Sequence, residues 1–198
     1  MYGQSVAGVA RPPLIDADRR LVVANGGGKW TETALAGRLY TIANQAAVAL
    51  TAALATTYTG LLVSNPVGSA VNLIMAAVGV SATLAMQKAG AIGLMTGSAP
   101  TTAIAASLVP RNCLVGGPAG VARATAGCDL TGATPVLERI LGQYGTLATT
   151  GFGVNPWGML DLDGSLILQP GGYVAVYGTL DSTAALIASF MWEERLRA

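Results

Sequence analysis

The chain has no histidine, which closes off Ser-His-Asp and Cys-His nucleophilic mechanisms and histidine-ligated metals. Carboxylates remain. Asp161 and Asp163 stand two apart ahead of Gly164, and residues two apart on a strand share a face. Such a pair can hydrolyse a glycoside or hold Ca²⁺. A Ca²⁺ loop would need a further acidic or amide residue where Ser165 stands, and a distant Glu, so only a fragment is present. Asp-x-Asp-Gly also makes a polar turn, and that is the reading adopted. Glu193-Glu194-Arg195 reads as a solvated strand end or an inter-subunit ion pair. Asp16, Asp18, Arg19 and Arg20 read as a solvated patch. No catalytic, cofactor-binding or metal-ligating residue is assigned, and no enzymatic activity is expected.

Three other groups could carry chemistry. Gly26-Gly27-Gly28-Lys29 invites a phosphate loop, but that pattern needs Gly where Val23 sits and Ser or Thr where Trp30 sits. Cys113 and Cys128 form no C-x-x-C pair. A disulfide between them is one reading; two buried thiols are the favoured one, since Met1-Tyr2-Gly3-Gln4 lacks the order of a secretion signal. Trp30, Trp157 and Trp192 could form a sugar-stacking platform. Trp192, however, alternates in register with Phe190 and Leu186, a core pattern, and Trp30 and Trp157 read as interface or loop anchors.

The elements that would position these residues are strands. Leu186, Ala188, Phe190 and Trp192 alternate with Ile187, Ser189, Met191 and Glu193, the period of a half-buried strand. Leu166 to Gln169 and Tyr173 to Tyr177 flank Pro170-Gly171-Gly172, which turns the chain. These three segments read as an antiparallel meander. Its second face carries Tyr173, Ala175 and Tyr177 opposite Val174 and Val176, and both faces are uncharged, so cover is expected on both. Upstream, Leu21-Val22-Val23, Asn25-Gly26 and Lys29 to Thr33 read as a hairpin. Ala46 to Ala55 could be a short helix on propensity, but the alternation of Val48, Leu50, Ala52 and Leu54 favours a strand. Gly60 to Asn65, Ala70 to Ala85, Ala91 to Thr96 and Pro135 to Leu141 read as strands, with Gly79 at a bulge or close approach. Residues 97–132 and 142–158 read as long loops. The class is all-β: an antiparallel β-sandwich, with the jelly roll the favoured topology and an extended N-terminal arm. Residues 1–37 form the arm and hairpin; residues 38–198 form the sandwich.

Composition constrains the surface. Hydrophobic residues make up 52% and charged residues 11% of 198, against about 25% charged in ordinary soluble domains. Such a chain is expected to bury surface against copies of itself or an assembly. The net charge is +1, with no basic stripe for nucleic acid. No charge occurs between Arg38 and Lys88, yet Thr56-Thr57, Asn65-Pro66, Gly68-Ser69 and Asn72 break that stretch before it could span a membrane.

A family resemblance adds to this. Thr59-Gly60-Leu61-Leu62-Val63-Ser64-Asn65-Pro66-Val67-Gly68-Ser69, followed by Asn72-Leu73-Ile74, resembles a pattern of tailed-phage virion proteins. So do Pro110-Arg111-Asn112-Cys113-Leu114, Leu168-Gln169-Pro170-Gly171-Gly172-Tyr173 and Ala188-Ser189-Phe190-Met191-Trp192-Glu193-Glu194. The match runs in pieces from about Leu35 to Glu194, and none of the phrases is a catalytic signature. The resemblance implies a virion structural protein, most similar to jelly-roll capsid decoration (cement) proteins. The implied partners are the major capsid protein and further copies of the chain, a homotrimer being favoured. The implied place is the capsid exterior, after synthesis in the host cytoplasm. The competing reading is a carbohydrate-binding adhesion module of a tail fibre or baseplate, contacting glycan through Trp157 and the 97–132 loop.

Overall fold

The structure is a computed structural model. It describes residues 3–4, 10–11, 14–15, 21–22, 28–52, 54–82, 90–98, 107–130, 135–144, 159–179 and 182–197. The chain divides into two compact units, Met1–Glu32 and Thr33–Ala198.

In the first unit, β1 (Gly3–Gln4) pairs antiparallel with β2 (Ala10–Arg11), and β3 (Leu14–Ile15) with β4 (Leu21–Val22). Much of the expected arm, including Pro12, Pro13, Asp16, Asp18, Arg19 and Arg20, lies outside the described residues. The expected hairpin is corrected. Leu21-Val22 pairs with Leu14-Ile15 instead of Lys29 to Thr33, and α1 (Thr31–Leu35) takes part of the latter segment. This single turn closes on Gly37 at φ 68. Arg38 N–H donates to Thr33 O and Gly37 N–H to Ala34 O, the paired bonds of a Schellman cap.

The second unit is a sandwich of two antiparallel sheets. Its long strands are β5 (Leu39–Ala43), β7 (Thr57–Ser64), β8 (Val71–Ala82), β9 (Gly90–Ser98), β12 (Val136–Tyr144), β13 (Met159–Leu168), β14 (Gly172–Gly178) and β15 (Ser182–Leu196). Outside that set lie the short β6 (Val48–Leu50) and β10 (Arg111–Asn112), and β11 (Arg123–Asp129), which is as long as β14 and flanks β7. One sheet has the order β10-β5-β15-β8-β13, with β6 also on β15; the other has β11-β7-β14-β9-β12. The eight long strands pair first with last and inward: β5 with β15, β7 with β14, β8 with β13, β9 with β12. The winding is that of one long antiparallel ribbon rolled up on itself.

The meander is therefore corrected. Its three strands exist where the alternation placed them, but β13 pairs with β8, β14 with β7 and β9, and β15 with β5 and β8. Gln169-Pro170-Gly171 carries the chain between sheets. The expected loop at 97–132 contains β10 and β11. Small residues hid β11, whose Ala124 and Thr125 are fully buried by tertiary packing.

The core lies between the sheets. Leu186, Ala188, Phe190 and Trp192 are all buried as their alternation predicts, and Trp192 stacks on Tyr40 with ring centroids 6.2 Å apart. Both faces of β14 are buried: Tyr173, Val174, Ala175 and Val176 are at most 1% exposed. The single chain already covers the uncharged second face.

Two tyrosines lie flat over glycines. Tyr58 folds across Gly60, where φ is 139 and an added Cβ would collide with the phenol. Its hydroxyl then donates to Val176 O on β14 at 2.7 Å. Gly60→Ala should destabilise by about 1–3 kcal/mol, and Tyr58→Phe by about 1 kcal/mol. Because the two sites share one contact, the double variant should cost less than the sum. Urea unfolding of the three variants checks this; strict additivity would refute the contact.

Candidate functional site

Asp161 and Asp163 sit in a large bulge of the edge strand β13, where Asp161 opposes Ala77 and Leu166 opposes Met75. Asp163 N–H donates to Asp161 Oδ1 at 2.9 Å, and Ser165 Oγ donates to Leu162 O at 2.6 Å. Asp163 at φ 48 and Gly164 at φ 72 place two successive residues in the left-handed region, as in a type I′ turn. The pair thus shapes a polar turn. Among the described residues no group of three or more His, Cys, Asp or Glu is placed to hold a metal ion.

Glu193 and Glu194 part company. Glu193 pairs with Arg38 at 3.4 Å within the chain. Glu194 is buried, which corrects the solvated reading. It accepts the N–H groups of Val121 on both oxygens, at 2.8 and 2.9 Å, and of Ala122 at 3.0 Å. Trp192 Nε1 donates to it at 3.4 Å. Glu194 stands two residues beyond Trp192, on the same inward face as Leu186, Ala188, Phe190 and Trp192. The segment 120–122 is thereby tied to β15 by a carboxylate in place of a strand partner.

Asparagines do the same work elsewhere. Asn65, 1% exposed, ends β7. Its N–H donates to Gly172 O and its C=O accepts from Gly171 N–H, both at 2.8 Å. Its Nδ2 donates to Val71 O at 2.8 Å and Leu168 O at 2.9 Å. One residue therefore joins four strands of both sheets. Asn44 follows β5. Its Nδ2 donates to Ala46 O and Leu186 O, and its Oδ1 accepts from Ala188 N–H at 2.6 Å. Thr125 Oγ1 donates to Gly127 O across the bulge of β11. Asn65 Oδ1 and the Tyr173 hydroxyl have no hydrogen-bond partner among the described residues. Burial pushes the Tyr173 phenol up to about 12.

The aromatic platform does not form from the described residues. Trp192 is buried at 0%, Trp30 is half-buried beneath Lys29 Nζ at 5.0 Å, and Trp157 lies outside the described residues. An interior cavity lined by Asn44, Leu50, Gly60 and Leu186, among others, has a volume of about 10 Å³, room for at most one water. No helix of the described residues is long and apolar enough to cross a membrane.

Sequence reasoning missed the clamp roles of Asn44 and Glu194, whose partners lie 142 and 73 residues away; their one local signal was that Glu194 continues the inward alternation of Leu186 to Trp192. Asn65 had one: Asn-Pro at a strand end. Compared with known proteins, the chain matches no family model, no curated protein and no solved structure.

Removing the charge from the Glu194 clamp with Glu194→Gln should cost about 1–3 kcal/mol. Val121 and Ala122 should lose amide-exchange protection first; unchanged exchange there would refute the clamp.

The two cysteines are free thiols. Burial raises Cys113, and burial with Asp129 beside it raises Cys128 from 9.0 to about 11. Below pH 9 both folded and unfolded thiols are protonated, so their contribution to stability is fully present. Between about pH 9 and 11 the unfolded Cys128 thiol ionises first and that contribution is lost. Iodoacetamide at pH 8 should therefore label native Cys128 far more slowly than the unfolded chain. Both thiols are half-buried, short of the full burial expected from the sequence, and equal rates would contradict even that placement of Cys128.

Proposed function

We propose that the chain is a structural component of a phage particle without enzymatic activity, most specifically a capsid decoration (cement) protein. It binds the outer face of the major capsid lattice and, as a homo-oligomer with a trimer favoured, ties neighbouring subunits together on the capsid exterior. The observation that carries this reading is the rolled ribbon of nested strand pairs, β5–β15, β7–β14, β8–β13 and β9–β12. Such nested pairing supports the jelly roll that the resemblance implies. Two of its phrases, Ser64-Asn65-Pro66 and Gln169-Pro170-Gly171-Gly172, meet at one corner through Asn65.

The polar side chains fit a mechanical role. Asn44, Asn65, Thr125 and Glu194 each hydrogen-bond backbone groups of their own chain. A cement protein meets its lattice at many equivalent points, and multivalency supplies avidity without any single tight contact.

A cryo-electron reconstruction of the virion tests the reading. Lattice-wide, stoichiometric density on the capsid exterior is expected. A handful of copies confined to the tail would overturn the cement assignment in favour of the adhesion reading.

A further inference from the structure

The two lateral edges of the sandwich differ in kind. One edge is formed by β10 and β11, the other by β12 and β13. Arg139 on β12 donates to Ser165 Oγ on β13 at 3.1 Å, which sets those two strands side by side. The β10/β11 edge exposes Arg111 and Arg123 together with Val109 and Val121. Between them Val115 is 97% exposed. It stands at the tip of a turn closed by Gly117 N–H donating to Leu114 O at 2.7 Å, with Gly116 at φ 83. Asn112 splints that turn: its Nδ2 donates to Gly37 O and Pro118 O, and its Oδ1 accepts from Leu114 N–H. Turn tips ordinarily carry polar residues. A bare valine held on a rigid turn is a contact residue in search of an apolar partner surface.

The β12/β13 edge supplies such a surface with the opposite charge. Val136, Ile140 and Met159 are 57%, 50% and 72% exposed. Glu138, Asp161 and Asp163 stand among them, against Arg139. The complementarity is also aligned. One cross-strand row on the outer face of the first sheet runs Asp161–Ala77–Met191–Thr41–Arg111. The row begins in an acid on one edge and ends in a base on the other, about 19 Å away at ordinary strand spacing. Asp129 is the acid of the basic side, and it sits at the far end of β11, opposite Thr57.

We propose that copies of this chain associate side by side and head to tail, the β10/β11 edge of one seated on the β12/β13 edge of the next. Val115 meets the apolar strip, and Arg111 faces Asp161. As the account of how a decoration protein holds its neighbours, this rests on the preceding reading, although its evidence is independent of it. The contact joins two different surfaces, so it is heterologous and closes into a ring or continues as a filament. It works through side chains and does not extend the sheet. β10 is only two residues long, β12 shifts register twice and β13 carries its four-residue bulge, devices that block edge-to-edge strand pairing.

Sedimentation of the purified full chain over a range of concentrations tests this. The wild type should form a defined oligomer that weakens as salt rises. Val115→Asp, at a fully exposed position, should raise the dissociation constant at least ~10-fold while leaving the unfolding midpoint unchanged. Arg111→Asp and Asp161→Arg should each weaken association likewise, Asp161→Arg with some loss of stability because Asp161 Oδ1 accepts the Asp163 N–H, and the double reversal in one chain should restore association. A monomeric wild type, or oligomers indifferent to Val115→Asp, would overturn the proposal. A folded double reversal that stays monomeric would overturn the Arg111–Asp161 facing. The cement reading fails separately: an oligomer absent from particles sinks that reading alone, and a monomer found across the lattice sinks this proposal alone.

Discussion

A rolled ribbon passes repeatedly from one sheet to the other. At each passage backbone N–H and C=O groups leave a strand ladder while staying buried. Each group left unpaired there costs about 1–3 kcal/mol, so the fold depends on what replaces the missing strand. Here side chains replace it. Asn65 closes the passage beside Pro170-Gly171 by serving Val71, Leu168, Gly171 and Gly172 at once. Asn44 does so where β5 ends against β15, and Glu194 where the segment before β11 crosses β15. An amide suits the first two because it donates and accepts together. A carboxylate suits the third because it meets only donors. The few polar groups of an apolar chain are placed where the topology would otherwise strand the backbone.

The division between what the sequence showed and what it hid follows from the range of each interaction. Strand positions were legible because alternation is local: Leu186 to Trp192 kept its predicted faces, and the Pro170-Gly171 turn fell where expected. Strand partners were not, since a turn says that the chain reverses and says nothing of which sheet receives it. The polar-turn reading of Asp161 and Asp163 held because Asx hydrogen bonding is also local. Glu194 was misread because its charge outweighed its position, although it stands in phase with buried Leu186 to Trp192 and its donors on Val121 and Ala122 lie far off in sequence. The segment Thr31–Leu35 was misread because Asn25-Gly26 is a strong hairpin signal, whereas the Gly37 cap that ends the helix is recognisable only once the helix is assumed.

Low charge has two physical outlets, and the structure apportions them. The first is internal. With β14 between β7 and β9 and buried on both faces, apolar side chains of both registers are used within one chain. Tyr58 and Tyr173, laid over Gly60 and Gly97, complete that sheet without adding bulk. The apolar second face of β14 is thus no argument for a partner.

The second outlet is at the rims, and here the constraint turns around. An open sandwich must prevent its edge strands from recruiting other strands, and bulges at Asp161–Leu166 and along β12 do so by breaking the regular ladder. A bulge also turns side chains outward that a regular strand would send into the core or along the sheet. The feature that forbids sheet extension therefore creates a side-chain surface on the same edge. On β13 that surface is Met159 beside Asp161 and Asp163; on the opposite edge the splinted turn at Val115 stands beside Arg111. Protection against indiscriminate pairing and the side-chain surface on which the proposed lateral contact rests are then two consequences of one departure from regular β structure.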